Sequence, residues 1–202
     1  MDLPVTIAHK VLQKQTPKVN VYYPFVIGLA NRQAEMKINS VIVSTMNNTM
    51  VELGFHEPFL QEMVGQFEIK TNERNILSLT LTVYGFTGGA HGNTIVKALS
   101  FDVTTGRQYE LKDLFKPDSD YVTVLSKIIG QKIKDWDIQL LEPFTKIRPD
   151  QDFYFADHSL VIYFQQYEIT AYVWGFPYFP IPILDIQNII QPDGPLEKLL
   201  PF

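Results

Sequence analysis

Cysteine is absent from the 202 residues of the chain. Its absence excludes a structural disulfide, a thiolate metal site and a cysteine nucleophile, although it does not fix the cellular compartment. Long apolar runs are missing too, since none approaches the roughly 20 residues that a helix needs to cross a bilayer. The N-terminus, MDLPVTIAHK, has neither the basic start nor the apolar core of a signal peptide. If the natural protein is exported, we therefore expect its targeting segment, and any membrane anchor, to be absent from this chain.

Basic residues are in deficit, because 17 Lys and Arg stand against 22 Asp and Glu, for a formal net charge of −5. Nucleic-acid binding needs cationic side chains that neutralise phosphates, so no nucleic-acid partner is expected. A mildly acidic protein is compatible with a cationic partner, because complementary charge raises the rate and specificity of association. Hydrophobic content of 46% and charged content of 19% are those of an ordinary globular protein.

The first part of the chain shows two strand patterns followed by a long helical pattern. Strands are predicted over Val5–Gln15 and Val19–Val26. Pro24 has no N–H for a strand ladder, so the second strand should lie at an edge of a sheet or end there. After Asn31, a typical N-cap, apolar residues recur with a period of 3.6, and Gly54 supplies the C-cap. The sequence therefore predicts a helix between these two caps.

From residue 66 the period changes to two, which indicates antiparallel strands joined by short turns. The strict alternation from Leu77 to Val83 predicts one strand face on the core and one face in water. A second helix is predicted after Pro117, with an apolar stripe that reaches Trp136, and short strands follow. Helices and strands do not alternate strictly, so a doubly wound parallel sheet is not expected. The predicted fold class is α+β, an antiparallel meander with two main helices packed on it, in two interlocked subdomains.

The loop from Gly88 to Gly92 contains the histidine that is best suited to a functional role. Its glycines allow positive φ and leave the His91 imidazole displayed on a loop, which favours binding or catalysis. The alternative is structural: a sharp strand-to-strand loop needs the glycines, and His91 caps a neighbouring carbonyl. The loop lacks the Lys and Ser/Thr of a phosphate-binding loop and precedes a strand, so no helix N-terminus is available for an anion.

The other titratable residues indicate structure more than chemistry. Asp157 and His158 lie in a turn pattern between two strands. Glu168, between two tyrosines, is interpreted as an ion-paired or hydrogen-bonded structural carboxylate. The chain has no His-Glu-x-x-His, no paired His-x-His and no serine nucleophile elbow. The sequence thus predicts no enzyme site, no metal site and no cofactor.

Aromatic residues are concentrated between Leu160 and Ile183. The first part of this stretch alternates like a buried strand. After Trp174, one glycine and three prolines should prevent regular pairing, so the aromatics there are expected on irregular surface backbone. Tyr and Trp on a rigid loop are typical of protein-binding hot spots, and at least two of the four last aromatics are predicted to be exposed. The predicted binding residues are Trp174, Phe176, Pro177, Tyr178 and Phe179, beside Gly88, Gly89 and His91 of the glycine loop.

Several motifs resemble a known pair of bacterial domains. The chain resembles the RsiV-like domain family in Leu111-Lys112-Asp113-Leu114-Phe115 and in Phe164-x-x-Tyr167-Glu168-x-x-x-Tyr172-x-x-Gly175-x-Pro177-x-Phe179-x-Ile181-Pro182. It resembles the PdaC-like domain in Tyr23-Pro24, in Lys37-Ile38-Asn39 on the helix and in the glycine loop. These motifs imply a PdaC-like α+β subdomain over residues 4–92 and an RsiV-like α+β subdomain over residues 93–191. A break near Pro192 predicts a loose tail over residues 192–202.

The resemblance implies a non-enzymatic, extracytoplasmic binding module of a secreted or cell-surface bacterial protein. In anti-sigma members of the RsiV-like family, the corresponding region is an ectodomain that binds lysozyme, so lysozyme is the implied protein partner. The first alternative is a glycan-binding accessory domain of a cell-wall enzyme, in which the same aromatics stack on sugar rings. The second alternative is a hydrolase that uses His91, Glu168 or Asp157. Membrane association is expected only through a segment that this chain lacks.

Overall fold

The structure is a computed structural model that describes residues 4–201. The chain forms two compact units, one that ends at Gln108 and one that begins at Tyr109. The predicted division between residues 92 and 93, which follows the family resemblance and stays a prediction, falls in the connection between two strands that pair with each other over ten residues. Separating those strands would break a continuous antiparallel ladder, which is why the boundary between the units follows the second strand.

The first unit is a five-stranded sheet with one long helix. Its elements are β1 Thr6–Lys14, β2 Lys18–Ile27, α1 Arg32–Glu52, β3 Glu62–Glu73, β4 Ile76–Phe86 and β5 Asn93–Asp102. The strands lie in sequence order, and each neighbouring pair is antiparallel except β2 and β3, which are parallel. A parallel pair needs a long crossover, and α1 provides it. The α+β class is confirmed, and the meander covers β3 to β5, but the sheet as a whole is mixed.

Strand β2 accommodates its proline because half of the strand has a partner on one side only. Pairing with β3 ends at Val21, whereas β2 continues to Ile27. The Asn39 side chain of α1 bonds both the N–H and the C=O of Val26, each at 2.8 Å. The Val26 backbone groups therefore turn away from β1. Pro24, two residues earlier, has the same orientation, so its missing N–H breaks no ladder bond.

Helix α1 begins and ends as its sequence predicts. The Asn31 side chain accepts hydrogen bonds from the backbone N–H groups of the second and third helical residues, at 3.1 and 3.2 Å. After the C-cap Leu53, Gly54 has a φ of +87°, a conformation that glycine adopts without strain. One face of the helix packs on the sheet through apolar side chains that include Ile38, Ile42 and Met46.

The polar face of β4 differs from its prediction. Leu77 to Val83 alternate as expected, with Leu and Val in the core. The serine and threonine between them were expected in water, yet Ser78 and Thr80 are buried. The Ser78 hydroxyl lies 2.8 Å from that of Ser100 on β5, so a cross-strand hydrogen bond satisfies the two buried groups. Small hydroxyl side chains can therefore line a buried face, which the alternation alone does not reveal.

The second unit combines a helix, a three-stranded sheet and a packed C-terminal segment. Its elements are α2 Tyr121–Asp135, β6 Phe153–Ala156, β7 Ser159–Tyr163, β8 Tyr178–Pro182 and α3 Pro195–Lys198, with three short 3-10 turns over Leu111–Leu114, Tyr172–Trp174 and Ile183–Ile186. The sheet order is β6-β7-β8, and both pairs are antiparallel. Over residues 4–201, no helix combines the length and the hydropathy of a membrane span.

The C-terminal segment is packed, in contrast to the loose tail that was predicted. Leu196 and Leu199 are fully buried. The His158 Nδ1 atom lies 2.7 Å from the carbonyl oxygen of Leu199, which ties the segment to the turn between β6 and β7. Burial of two leucines outweighs the tendency of a Pro- and Gly-containing break to release the end of the chain.

Candidate functional site

The end of the aromatic stretch is a strand, and its prolines are tolerated because the strand lies at an edge of the sheet. Tyr178 pairs with Tyr163, Pro180 with Val161 and Pro182 with Ser159, in register with β7. The prediction of irregular backbone over residues 178 and 179 is therefore wrong. A proline lacks only a donor, and an edge strand can turn that position away from its single neighbour.

Alternation along β8 separates the predicted binding residues into two groups. Tyr178 is 40% exposed, whereas its neighbour Phe179 is fully buried. The Phe179 ring stacks on Trp136, with centroids 5.7 Å apart and planes 5° from parallel, and contacts Phe164 edge to face at 5.7 Å. Pro177 is buried as well, and its carbonyl accepts a hydrogen bond from the backbone of Phe164. Phe179 and Pro177 are core residues, so their assignment to a contact surface is corrected.

The residues that reach the surface belong to what we call the 167–178 segment. Tyr167 is 51% exposed, Val173 88% and Trp174 43%, in addition to Tyr178. Phe176 is half-buried. Two of the four predicted aromatics, Trp174 and Tyr178, are thus exposed, and that prediction is confirmed. Large apolar side chains at the surface mark candidate interaction sites when they occur together in this way.

Two local features fix the backbone of the 167–178 segment. Residues 172–174 form a 3-10 turn in which the N–H of Trp174 bonds the carbonyl of Ala171 at 3.0 Å. The turn ends at Gly175, whose φ of +67° lies in a region that favours glycine. Tyr167 also has positive φ, at 64°, which is uncommon for a bulky residue and directs its side chain outward from a tight bend.

A charged network holds the start of the segment. The Glu168 carboxylate pairs with Arg148 and accepts hydrogen bonds from the Gln165 backbone N–H at 2.7 Å and from the Gln151 side chain at 3.1 Å. Gln151 is almost fully buried and also donates to the carbonyl of Tyr163 at 2.9 Å. Glu168 is therefore the structural carboxylate that its position between tyrosines indicates, and it joins the bend to β7.

Three aromatic rings pack against Tyr178. Its ring centroid lies 5.6 Å from that of Tyr163 and 6.1 Å from that of Tyr154, both buried, and 6.5 Å from that of Phe176. Contacts of this kind hold an exposed ring in one orientation. Because the Tyr178 ring is already held in one orientation, it would lose little conformational entropy when a partner binds it, which lowers the entropic cost of association.

The glycine loop belongs to the first unit. His91 is exposed, and its Nδ1 atom lies 3.0 Å from the carbonyl oxygen of Gly92, the structural role that was given as the alternative. Gly88 and Gly89 have φ of +101° and +97°. A Cβ on Gly92 would lie 2.4 Å from the ring of Tyr84, so close packing requires glycine there. The roles of Gly88, Gly89 and His91 in binding, and their position beside the 167–178 segment, stay predictions.

The residues named for hydrolysis have structural partners in the part of the chain that is described. Asp157 occupies a turn with a φ of 48°, a conformation that Asp tolerates. His158 bonds the carbonyl of Leu199, and Glu168 is engaged on both oxygens. Within residues 4–201, no group of three His, Asp or Glu side chains is arranged to hold a metal ion.

Comparison with known families accounts for most of the chain. Residues 11–94 match the family model described as Deacetylase PdaC, and residues 112–183 match the model described as Protein of unknown function (DUF3298). The chain is thus similar to a PdaC domain in its first part and to a DUF3298 domain in its second part. The resemblance inferred from its motifs is thereby confirmed. The 167–178 segment, Trp136 and α2 all lie within the DUF3298 match.

Two curated relatives come from Bacillus subtilis strain 168. The anti-sigma-V factor RsiV is 28% identical over an alignment 202 positions long, which covers 88% of this chain and 67% of RsiV. The peptidoglycan-N-acetylmuramic acid deacetylase PdaC is 26% identical over an alignment 123 positions long, which covers 57% of this chain. The match spans only 26% of the length of the deacetylase, so most of that protein has no counterpart in the match.

Two crystal structures of DUF3298 family members share the fold. The protein from Bacteroides fragilis aligns with a TM-score of 0.67 over 94% of this chain and 93% of its own, at 14% identity. The protein from Pseudomonas aeruginosa aligns with a TM-score of 0.68 over 100% and 98% of the two chains, at 15% identity. At such low identity the likeness concerns the fold alone.

Charge is divided unevenly between the two units. The unit that contains the DUF3298 match has 14 Asp and Glu against 8 Lys and Arg, a net charge of −6. The unit that contains the PdaC match has 8 acidic against 9 basic residues, a net charge of +1. The acidity of the protein therefore belongs to the unit with the exposed aromatics.

Sequence reasoning did not predict the exposure of Tyr167 and Val173 or the place of Arg148. The Tyr167 bend depends on positive φ, for which a tyrosine carries no sequence signal. Arg148 lies 20 residues before Glu168, and only the fold brings them together. The sequence offers one cue after the strand. A carboxylate in Tyr167-Glu168 precedes the run Ala-Tyr-Val-Trp-Gly, which indicates a polar residue that holds the start of an exposed turn.

Proposed function

We propose that this chain is a non-enzymatic, extracytoplasmic binding module and that its DUF3298 domain binds a cationic protein through the 167–178 segment. The observation that carries the proposal is the preformed exposure of Trp174 and Tyr178. Each is a large amphipathic ring on backbone fixed by a turn or a strand, which is how interface hot spots are built. The net charge of −6 on the same unit supports a basic partner.

Similarity to an anti-sigma factor supports a binding or regulatory role outside the cytoplasm, and we propose c-type lysozyme as the partner to test first. Lysozyme is a compact cationic protein with a cleft that can receive a rigid aromatic side chain. In this mechanism the rings of Trp174 and Tyr178 enter a groove of the partner, the net negative charge of the unit steers the approach, and no bond is made or broken.

Isothermal titration calorimetry at about 50 µM protein tests this proposal, since a micromolar complex gives a measurable signal there. We expect one-to-one binding that weakens as salt rises from about 50 to about 300 mM, because screening reduces electrostatic attraction. Trp174→Ala and Tyr178→Ala should each weaken binding about 30-fold or more, the effect of a hot spot of about 2 kcal/mol.

Leu184→Ala is the matched control, because Leu184 is a half-exposed apolar residue of the same unit outside the segment. It should leave affinity unchanged. Absence of heat and of co-elution with the unchanged chain would refute lysozyme as the partner. Binding that survives the combined Trp174→Ala and Tyr178→Ala change would refute the surface.

The second candidate is a glycan-binding accessory role, which the exposed rings and the similarity to a peptidoglycan deacetylase favour. Exposed Trp and Tyr side chains can stack on sugar rings in the same way as on protein groups. Sedimentation with purified peptidoglycan separates the candidates, because a glycan binder pellets with the polymer and a lysozyme binder stays in the supernatant. The hydrolase alternative has less support, since Glu168 and His158 are both engaged in structural bonds.

A further inference from the structure

Strand β1 forms an open edge of the five-stranded sheet. It is the first strand in the sheet order, so within residues 4–201 it has a strand neighbour, β2, on one side only. None of its nine residues is buried, and Val11 is 47% exposed. The strand contains no proline and pairs with β2 over all nine residues without a bulge. Prolines and bulges are two of the devices that close a sheet edge, and this edge has neither.

Hydrogen bonds on the far side of β2 identify the β1 backbone groups that face outward. Asn39 of α1 bonds both backbone groups of Val26. The N–H of Lys18 donates to the carbonyl of Gln61 at 3.0 Å, so the even-numbered residues of β2 turn away from β1. In an antiparallel pair, the residues opposite such positions also direct their N–H and C=O groups away from the partner strand. The β1 residues at these positions, which we call the edge residues, are Ile7, His9, Val11 and Gln13.

The charge of the β1–β2 hairpin is opposite in sign to that of the protein. Residues 6–27 contain three lysines and no Asp or Glu, a net charge of +3, whereas the whole chain has −5. Lys18 pairs with Glu62 at 2.5 Å. The ammonium groups of Lys10 and Lys14 each lie over a phenylalanine ring, 3.9 and 4.4 Å from the ring centroid, and neither has an acidic partner in the described part of the chain. Two cations beside the open edge are therefore available to an acidic partner.

The spacing of these two lysines defines the pattern of a strand that fits the edge. Residues four apart lie on one face of a strand, about 13 Å from each other. In an added antiparallel strand, the residues opposite Lys10 and Lys14 are also four apart, and the residue midway between them lies opposite the partly buried Leu12. The matching strand has two acidic residues in these positions and an apolar residue midway. A second copy of β1 does not match, because it would bring more lysines to the edge.

We propose that the open edge of β1 binds an extended acidic segment of a partner protein, which joins the sheet as a sixth, antiparallel strand. Hydrogen bonds to the four N–H and four C=O groups of the edge residues supply affinity, and the two lysines select acidic side chains. Antiparallel pairing is the more stable of the two arrangements per residue. This inference concerns the unit that contains the PdaC match and does not depend on the proposed function of the other unit.

A capped peptide of nine residues, Thr-Glu-Thr-Val-Thr-Glu-Thr-Val-Thr, has this pattern and spans all four edge residues. Titrated to about 2 mM into the isotope-labelled full chain, it should shift the amide resonances of the edge residues and slow their hydrogen exchange. The intervening amides of β1 already bond β2, so their exchange should change little. Edge amides that neither shift nor gain protection at this concentration would overturn the proposal.

Two control peptides separate strand addition from simple attraction between charges. Thr-Glu-Thr-Val-Pro-Glu-Pro-Val-Thr keeps the charge but lacks the two N–H groups opposite Val11 and His9, so we expect its binding to be lost. Thr-Lys-Thr-Val-Thr-Lys-Thr-Val-Thr keeps the N–H groups but brings lysines together, so it should bind about fivefold more weakly or worse. Equal binding of the proline peptide would refute strand addition and would indicate a surface that attracts any anionic polymer.

Charge reversal in the protein tests the role of the lysines. Lys10→Glu combined with Lys14→Glu should weaken binding of the acidic peptide about fivefold or more and strengthen binding of the lysine peptide by a similar factor. Lys127→Glu combined with Lys146→Glu is the matched control, because both lysines are exposed in the second unit and the change in charge is the same. It should leave both affinities unchanged. An equal loss in the control would show that net charge, and not the edge, selects the peptide.

Val11→Pro tests the edge itself. The N–H of Val11 does not bond β2, and proline is tolerated where the N–H of an edge strand faces solvent, so circular dichroism should report a folded variant. The same substitution removes a central donor of the open edge, and we expect binding of the acidic peptide to be lost. Binding that survives in folded Val11→Pro would overturn the edge as the site.

Discussion

Two neighbouring residues of β8 offer a sharp test of how the strand is oriented. We predict that Phe179→Ala destabilises the protein and that Tyr178→Ala mainly removes binding. Phe179 is fully buried, with one ring face on Trp136 and an edge contact to Phe164. Truncating such a phenylalanine removes its transfer energy and leaves a cavity, which costs about 3–5 kcal/mol.

Tyr178 is 40% exposed and retains ring contacts on one side only. Losing these two contacts costs about 1–3 kcal/mol, from aromatic pairs worth roughly 0.5–1.5 kcal/mol each. For a chain of this size, 1 kcal/mol corresponds to about 2–4 °C in Tm. Phe179→Ala should therefore lower Tm by about 6–20 °C, and Tyr178→Ala by about 2–12 °C, so that Phe179→Ala has the larger effect.

Thermal unfolding followed by circular dichroism measures both variants, and tryptophan fluorescence gives an independent probe because Trp136 stacks on Phe179. Phe179→Leu is the control, since it keeps an apolar side chain and should recover much of the loss. Equal destabilisation by Tyr178→Ala and Phe179→Ala would refute this orientation of β8. Tryptophan emission that is unchanged in Phe179→Ala under folding conditions would refute the stacking on Trp136.

Three further predictions concern single polar groups. Asn39→Ala should lower the free energy of unfolding by about 2–3 kcal/mol in urea titrations, because the buried N–H and C=O of Val26 lose their partner. Glu168→Gln removes the ion pair with Arg148, and limited proteolysis should then cleave the 167–178 segment faster while global Tm changes little. The carboxylate of Asp120 accepts hydrogen bonds from the hydroxyl and then the backbone N–H of Thr123, and these bonds hold the pKa of Asp120 below its ordinary value of 3.8. The N-cap that Asp120 provides therefore stabilises α2 fully above pH 3.8, and this stabilisation is lost as the pH falls through the pKa of the folded state. The unfolding midpoint should therefore fall more steeply below about pH 4 than in Asp120→Asn, which caps without titrating.

Local signals predicted the elements whose stability is local. The caps of α1 at Asn31 and Gly54 involve backbone groups that are close in sequence, so the sequence alone predicts them. The sequence predicts the alternation of β4 for the same reason. It does not predict that the polar face of β4 is buried, because burial of Ser78 depends on a hydroxyl partner 22 residues away.

The candidate site was predicted in part. Trp174 and Tyr178 are exposed, as a glycine and several prolines nearby indicate. The expected exposure of Phe179 is wrong because prolines do not exclude an edge strand. Which residues of an edge strand face the core depends on register with β7, and register is a property of the folded sheet.

The parallel pairing of β2 with β3 has a consequence for how the first unit comes apart. On that side the N-terminal hairpin of β1 and β2 is held by only four paired residues, Lys18 to Val21, whereas the β3–β4 and β4–β5 ladders each contain ten or more residue pairs. The hairpin is therefore the peripheral foldon of the unit, and the β3–β5 meander is its persistent part. Because α1 links the hairpin to the meander and bonds Val26 through Asn39, opening of the hairpin would uncover the part of α1 that faces β2, while the contacts of α1 with β4 and β5 remain.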